Sequence, residues 1–224
     1  MMQNNTKKKK KVEKSRRGRT SAGGNSKQRI LNASLREFAA FGFEGARVDR
    51  IAENAGINKA MIFYYFSSKQ NLFRTVVSEV LLDYIPKVQN VIRESSTPEQ
   101  LFDALPSLYI RYFSKRKEII QIIAHQLIHS PKTIAPVIGE IFAEVPDAPS
   151  KVLPVLIKNW HRKGLISESD PIQFILNVLS LCLLPIVASP MVEGILNIRI
   201  QDDASFLEKR IRSITHLIKR GMLK

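Results

Sequence analysis

Apolar residues recur every three or four positions along most of the chain from residue 26 onward, which is the spacing of helices with one buried face. No stretch alternates apolar and polar residues in the manner of a strand. Proline and glycine interrupt the pattern and divide it into separate helices. Beyond residue 84, the predicted helices lie near 98–114, 116–129, 132–144, 149–163, 171–187 and 203–221. The pattern therefore predicts an all-α fold.

The first predicted helix begins near Ser26 and ends at Gly42. Two short helices follow at about 48–55 and 58–65, and they are joined by a tight turn at Gly56, a residue that suits the left-handed conformation of such turns. The apolar positions of these helices are Ile30, Leu31, Leu35, Phe38, Ala39, Ile51, Ala55, Ile57, Ile62 and Tyr65. The arrangement predicts a three-helix helix-turn-helix domain, whose last helix can enter a DNA major groove.

A longer helix is expected directly after this domain. Ser67 or Ser68 can cap its start, and its apolar positions continue to Tyr84. Pro86 lies within the run and predicts a kink or a break. We divide the chain into a disordered basic tail (1–25), a DNA-binding domain (26–75) and a larger helical domain (76–224).

The charge of the chain points to a polyanionic partner. The formal net charge is +15, from 35 basic and 20 acidic residues. Residues 1–29 contain eleven basic residues and one acidic residue, a net charge of +10, which leaves only +5 for the other 195 residues. The basic tail is either a solvated segment that keeps the protein soluble or an arm that adds electrostatic affinity for DNA.

Several other classes of function find no support in the sequence. Cys182 is the only cysteine, which excludes an intramolecular disulfide and fits a reducing cytoplasm. The apolar run from residue 171 to 192 contains polar residues and prolines, so we predict no membrane span. His125 and His129 have a metal-ligand spacing without an acidic or cysteine neighbour, so we predict no metal and no other cofactor. No catalytic motif is present, and Cys182 reads as an inert core residue, so we predict that the protein is not an enzyme.

Residues 26–75 resemble the N-terminal domain of TetR/AcrR-type bacterial transcriptional regulators. The resemblance rests on residues 38–43 (Phe-Ala-Ala-Phe-Gly-Phe), 48–52 (Val-Asp-Arg-Ile-Ala), 55–59 (Ala-Gly-Ile-Asn-Lys), 62–66 (Ile-Phe-Tyr-Tyr-Phe) and 68–69 (Ser-Lys). It implies a DNA-binding head, a helical ligand-binding body, a homodimer, and repression that a small molecule relieves. The residues placed at the DNA by the resemblance are Arg47, Asn58, Lys59, Ala60, Met61, Tyr64, Tyr65 and Lys69.

The sequence departs from the family pattern at three positions that bear on DNA binding. Ala46 and Arg47 replace a threonine or serine pair that often caps the second helix; arginine can contact a phosphate but cannot act as the cap. Phe63 stands where a tyrosine is common, so one phosphate hydrogen bond is expected to be absent. Direct base contacts would then depend on Lys59, Asn58 and Arg47.

The larger domain offers two further sets of candidate residues. The candidates for an effector site are aromatic or histidine side chains at helical spacing: Phe102, Tyr109, Phe113, His125, Phe142 and Trp160. The last two long helices match the dimer-forming pair of the family, and the candidate interface residues are Ile172, Ile175, Leu176, Leu179, Leu183, Phe206, Ile211, Ile214 and Leu217.

The sequence thus predicts a cytoplasmic, homodimeric repressor that a small-molecule effector of unknown identity releases from a palindromic double-stranded DNA operator. One alternative is a constitutive or non-sequence-specific DNA-binding protein, for which the basic tail is the main argument. The other is a helix-turn-helix domain that serves as a protein-interaction adaptor.

Overall fold

The computed structural model describes residues 4–167, 169–200 and 203–224, with side chains from residue 25 onward. The helices of these residues are α1 (Asn4–Gly45), α2 (Val48–Ala55), α3 (Lys59–Phe66), α4 (Lys69–Glu94), α5 (Pro98–Ser114), α6 (Lys117–His129), α7 (Pro131–Glu144), α8 (Pro149–Arg162), α9 (Pro171–Val187), α10 (Ser189–Leu196) and α11 (Ala204–Met222). Among the described residues the only β-type pairing is an isolated bridge between Ile166 and Leu223. The predicted all-α fold is confirmed.

The chain divides into two compact units, a first unit over Met1–Val76 and a second unit over Val77–Lys224. In the structure α1 begins at Asn4, earlier than the predicted start near Ser26. The predicted disordered tail of residues 1–25 falls almost wholly on residues 1–24, whose side chains lie outside the described part, and it stays a prediction.

The first unit is built around side chains from all four of its helices. α1 contributes a face with Phe38 at its centre, and Phe38 packs edge-on against Phe73 of α4, with ring centroids 5.1 Å apart. Gly42 has a φ of 66°, which interrupts α1 where the sequence predicts its end. The largest buried side chains of this core are Ile30, Phe38, Ile51, Ile62, Leu72 and Phe73.

The second unit contains the C-terminal part of α4 and the helices α5 to α11. α5 packs on both α9 and α11, and α6 packs on α7. Five of its helices (α5, α7, α8, α9 and α10) begin with proline in their first turn, where the absent N–H group costs nothing. This chemistry explains why the predicted starts of α5 and α9 agree with the structure.

The structure differs from the predicted helices at two places, since it excludes a break at Pro86 and adds α10. Pro86 does not break the helix, because α4 continues to Glu94; Ile85 and Val88, on either side of the proline, are buried, and this packing offsets the lost backbone hydrogen bond. α10 was not predicted, since it is only eight residues long and follows α9 with a single residue between them.

No single helix among the described residues is long and apolar enough to cross a membrane. Judged by length and composition alone, α9 and α10 together are long and apolar enough to do so, as a pair that is bent by 68°.

Candidate nucleic-acid interface

The turn between α2 and α3 is held by backbone geometry and by one arginine of α1. Gly56 lies in the left-handed region (φ 61°), as predicted, and its N–H group bonds to Ala52 and Glu53 carbonyls. The Arg29 guanidinium donates to the carbonyl oxygens of Ala55 and Gly56, the latter at 2.8 Å. These bonds occupy carbonyls at the C-terminal end of α2 and fix the direction in which α3 starts.

Asn58 caps the start of α3. Its side-chain oxygen accepts a hydrogen bond from the Ala60 N–H at 2.9 Å. The cap fixes the orientation of the Asn58 side chain, whose amide nitrogen is its donor group toward DNA. The sequence predicts Asn58 at the base edges, and the structure adds this capping role.

α3 presents one face outward and buries the other. Ile62 and Phe66 are buried, whereas Lys59, Ala60 and Tyr64 are exposed, with Tyr64 at 79%. Met61 and Tyr65 are half-buried, and the Tyr65 ring packs edge-on against Tyr64 with centroids 5.2 Å apart. Phe63 is 42% exposed, so this apolar ring lies partly at the surface. Phe66 was missed as a core residue, although its position four residues after Ile62 is a helical core spacing.

Lys59, the predicted base-contacting lysine, forms an ion pair with Asp49 of α2. The Nζ atom of Lys59 lies 2.9 Å from Oδ1 of Asp49, and both side chains are largely exposed. Exposed pairs of this kind contribute about 0–1 kcal/mol, so the lysine can exchange the carboxylate for a DNA group at small cost.

A buried carboxylate supports the start of α2. Arg47 is the N-cap residue and makes no side-chain cap bond, which confirms the prediction from its residue type. Oε1 of Glu37, a residue only 4% exposed, instead accepts the backbone N–H of Arg47 at 2.8 Å and pairs with Nη2 of Arg50 at 2.6 Å. Arg50 also donates to the Gly45 carbonyl at 2.9 Å and lies over the Phe41 ring. Sequence reasoning missed this network, which leaves the Arg47 side chain exposed for a phosphate.

Lys69 lies at the first turn of α4, beside the segment between α1 and α2. Its Nζ atom donates to the Glu44 carbonyl at 3.2 Å and lies 4.7 Å from the centre of the Phe43 ring. Ser68 caps α4 by accepting the Asn71 N–H at 3.1 Å, as predicted. These contacts place the ammonium group close to the start of α2, where Arg47 is also exposed.

The candidate effector residues do not form one cluster. Tyr109 and Phe113 are buried side by side with Tyr84, with ring centroids of 5.6 Å and 5.0 Å to Tyr84. Phe102 packs against Phe174 and is buried. Trp160 is buried as well, so Phe102 and Trp160 both belong to the core, whereas His125 and Phe142 are half-buried.

No group of three or more potential metal ligands occurs among the described residues. Burial raises the pKa of the Cys182 thiol to about 12, which fits an unreactive core cysteine.

The candidate dimer residues fall into three groups. Ile172, Leu176 and Leu217 are 63%, 50% and 57% exposed and could meet a partner directly. Ile211 and Ile214 are buried inside the second unit, which removes them from any outward-facing surface of that unit. The remaining candidates are half-buried, namely Ile175, Leu179, Leu183 and Phe206.

Comparison with known proteins agrees with this geometry. The family model described as bacterial regulatory proteins, tetR family, matches residues 30–76. The HTH-type transcriptional regulator RutR of Escherichia coli is 23% identical over 205 residues, 91% of this chain and 93% of RutR. The HTH-type transcriptional repressor NicS of Pseudomonas putida is 30% identical over 112 residues, 48% of this chain and 53% of NicS. The crystal structure of FadR from Bacillus subtilis in complex with stearoyl-CoA shares the fold, with a TM-score of 0.65 at 16% identity, over 85% of this chain and 96% of FadR. Residues 30–76 therefore form a helix-turn-helix domain of the tetR family, and these similarities support a DNA-binding transcriptional regulator.

Proposed function

We propose that the protein is a homodimeric repressor that binds a roughly palindromic operator and leaves it when a small molecule binds the second unit. The observation that carries the proposal is the outward face of α3, whose start is capped by Asn58 and whose opposite face is anchored by Ile62 and Phe66. A short helix held in this way can place its N-terminal half in a major groove.

The DNA contacts divide into two chemical kinds. Lys59 and the amide nitrogen of Asn58 are the donors for base edges, and Ala60 and Met61 offer apolar contact to thymine methyl groups. Arg47, Tyr64, Tyr65 and Lys69 would contact the phosphate backbone, which fixes the position of α3 without reading sequence. We therefore expect the operator to contain a guanine at the base pair that Lys59 contacts.

A homodimer is supported by the apolar side chains that α9 and α10 leave at the surface. Ile172, Leu176 and Leu184 of α9 and Met191 and Ile195 of α10 are each at least half exposed. Large exposed apolar surfaces on soluble proteins mark interaction sites. A twofold-symmetric pair would present two α3 helices to two half-sites, which requires an inverted repeat in the DNA.

Light scattering tests the dimer with a matched pair of variants. We expect a mass of twice 25.4 kDa for the native chain. Leu176→Glu should shift the mass toward one chain, because it buries a charge in the contact. Val155→Glu introduces the same charge at an exposed apolar residue of α8 (59% exposed) and should leave the mass unchanged. A single-chain mass for the native protein at working concentration would refute the dimer.

Selection of bound sequences from random DNA tests operator recognition. We expect an inverted repeat, and Lys59→Ala should lower affinity for the selected DNA by about tenfold or more. Lys132→Ala, which removes an exposed lysine of α7, is the control for charge alone and should change affinity by less than about twofold. If equal affinity for the selected and for random DNA were found, the alternative of a non-sequence-specific DNA-binding protein would replace our proposal.

Linkage tests the response to a small molecule. A ligand that releases the operator must bind more weakly to the operator complex than to the free protein, by the same factor. Equal affinity of a ligand for the two forms would refute release by that ligand.

A further inference from the structure

The first turns of α2 and α3 hold a hydrogen-bond donor and an acceptor next to each other at the surface. Nζ of Lys59 lies 2.9 Å from Oδ1 and 3.0 Å from Oδ2 of Asp49. The Asp49 side chain is 73% exposed and the Lys59 side chain is 48% exposed. The two helix starts therefore offer DNA an acceptor as well as a donor.

A carboxylate at a DNA-binding surface lowers affinity, because it repels the phosphates. An acidic residue in the first turn of α2 suits the positive end of the helix dipole, but that effect needs no contact with α3. Arg50, the next residue, pairs with the buried Glu37, whereas Asp49 pairs with the lysine that contacts bases in the proposed function. The position of this carboxylate indicates a role in base recognition.

A base pair presents a matching acceptor and donor in the major groove. In a G·C pair, O6 of guanine accepts and N4 of cytosine donates, and the Watson–Crick hydrogen bond that joins them keeps them about 2.9 Å apart. This is the separation of Nζ from the carboxylate oxygens in the ion pair. An ammonium group has three N–H donors and a carboxylate has several lone pairs, so Lys59 can donate to O6 and Asp49 can accept from N4 while the ion pair stays intact.

The two side chains also select the orientation of the base pair, written here with the base against Lys59 first. In a C·G pair the ammonium meets the cytosine amino group and the carboxylate meets O6 of guanine, so both contacts become repulsive. An A·T pair gives the same mismatch, with N6 of adenine against the ammonium and O4 of thymine against the carboxylate. A T·A pair has its acceptor and donor in the right order but lacks N7 beside the acceptor. G·C is therefore the best match.

Lysine alone is a poor reader of sequence. Its ammonium group is a compact charge with three rotatable donors, so it can turn to N7 of either purine, to O4 of thymine or to a phosphate. A carboxylate at 2.9 Å restricts these choices, because the carboxylate needs an amino group beside the acceptor that Lys59 contacts. Asp49 thus lowers affinity for all DNA and raises discrimination between base pairs.

We propose that Asp49 is a specificity-determining residue of the DNA interface. The intact Asp49–Lys59 pair reads one G·C base pair in each half-site, with guanine against Lys59 and cytosine against Asp49. This inference rests on the proposed function, because it requires the start of α3 to lie in the major groove.

Selection of bound sequences with the native chain and with Asp49→Ala tests the inference. For the native chain we expect one position in each half-site at which G·C binds about tenfold or more tightly than C·G or A·T. Asp49→Ala should reduce this preference to below about threefold and leave the other positions unchanged, because Lys59 alone accepts several bases. Identical base preferences of the two chains would overturn the inference.

Glu53→Ala is the matched control for charge. Glu53 lies on α2 one turn after Asp49 and is exposed, so the substitution removes the same charge from the same helix. It should raise affinity for all sequences and leave every base preference unchanged. A loss of the G·C preference in Glu53→Ala equal to that in Asp49→Ala would overturn the inference, because net charge would then explain both.

A modified base tests the contact with cytosine directly. N4-methylcytosine still pairs with guanine, but a methyl group replaces the amino hydrogen that faces the major groove. Placed at the selected G·C position, it should weaken binding of the native chain by about tenfold and binding of Asp49→Ala by less than about twofold. An equal loss for both chains would overturn the contact between Asp49 and N4.

Asp49→Asn provides a second test if Asp49→Ala does not fold. Its amide group both accepts and donates, so it should relax the same preference without the charge. A purely structural role of Asp49 at the start of α2 would lower the melting temperature of both variants and leave their base preferences as in the native chain. Native preferences in Asp49→Asn would overturn the role of the carboxylate.

The same binding data separate this inference from the proposed function. Equal affinity of the native chain for selected and random DNA would refute sequence-specific recognition, and the inference would fail with it. A selected inverted repeat that the native chain and Asp49→Ala read identically would overturn the inference alone and would leave the proposed function in place.

Discussion

The Glu37–Arg50 pair gives the sharpest prediction about the DNA-binding domain. The Glu37 side chain is 3% exposed and that of Arg50 is 34% exposed, so Arg50→Met leaves a buried carboxylate without its counter-charge. Loss of one partner of a buried pair costs about 3–5 kcal/mol, and partial exposure of Arg50 favours the low end, about 3 kcal/mol. Glu37→Gln keeps an acceptor for the Arg47 N–H and should cost about 1–2 kcal/mol. The double variant should be more stable than Arg50→Met alone, because no buried charge remains.

Equilibrium unfolding in urea measures these differences. Trp160 is the only tryptophan and belongs to the second unit, so its fluorescence reports on that unit, whereas far-ultraviolet circular dichroism reports on all helices. Arg50→Met should move the dichroism transition and leave the Trp160 transition in place. A loss below about 1 kcal/mol, or a double variant less stable than Arg50→Met, would refute the reasoning that Glu37 is a buried charge held by Arg50.

Three further predictions concern single positions. Gly56→Ala should destabilise the first unit by about 1–3 kcal/mol in the same urea assay, because the residue has a φ of 61° and an added Cβ would lie 2.6 Å from the Arg29 guanidinium; an unchanged midpoint would contradict this. The pKa of Asp83 is lowered, chiefly by the hydrogen bond from Lys87, so its contribution to stability is present above the ordinary value of 3.8 and is lost as the pH falls through the lowered one. Asp83→Asn should remove this part of the acid dependence of thermal unfolding, and an identical acid profile would count against it. Gln126 is 1% exposed and its side-chain oxygen has no hydrogen-bond partner in the part of the chain that the structure describes, so Gln126→Leu should raise the melting temperature; a lower melting temperature would contradict this expectation.

Local chemistry accounts for the parts of the fold that the sequence predicts well. The starts of α5 and α9 follow from proline in the first turn, and the turn at Gly56 follows from the conformational freedom of glycine. These signals act over a few residues, so they can be read without knowledge of the tertiary structure. Pro86 shows the limit, because burial on both sides of it decides whether the helix continues, and burial is a tertiary property.

The candidate sites were less predictable, since they depend on which faces and which distant residues meet. Periodicity identifies Ile211, Ile214 and Leu217 as one broad apolar arc of α11, but only the packing of α5 shows that the first two are covered and the third is exposed. Aromatic content likewise suggests six effector residues, and only the structure shows that Phe102, Tyr109, Phe113 and Trp160 are buried whereas His125 and Phe142 are half-buried. The rotation of each helix about its own axis decides which of its apolar residues are covered and which are exposed.

The missing cap of α2 shows how the sequence and the tertiary structure combine in the DNA-binding domain. The sequence revealed that Arg47 cannot cap the helix, and this defect predicted an unsatisfied helix start. The structure fills the position with Glu37, ten residues earlier in the chain, whose charge also suits the positive end of the α2 dipole. A carboxylate from α1 frees the residue before α2 from the requirement for serine or threonine. An arginine can then occupy that residue without leaving the helix start unpaired, and its exposed guanidinium is the phosphate contact that we propose.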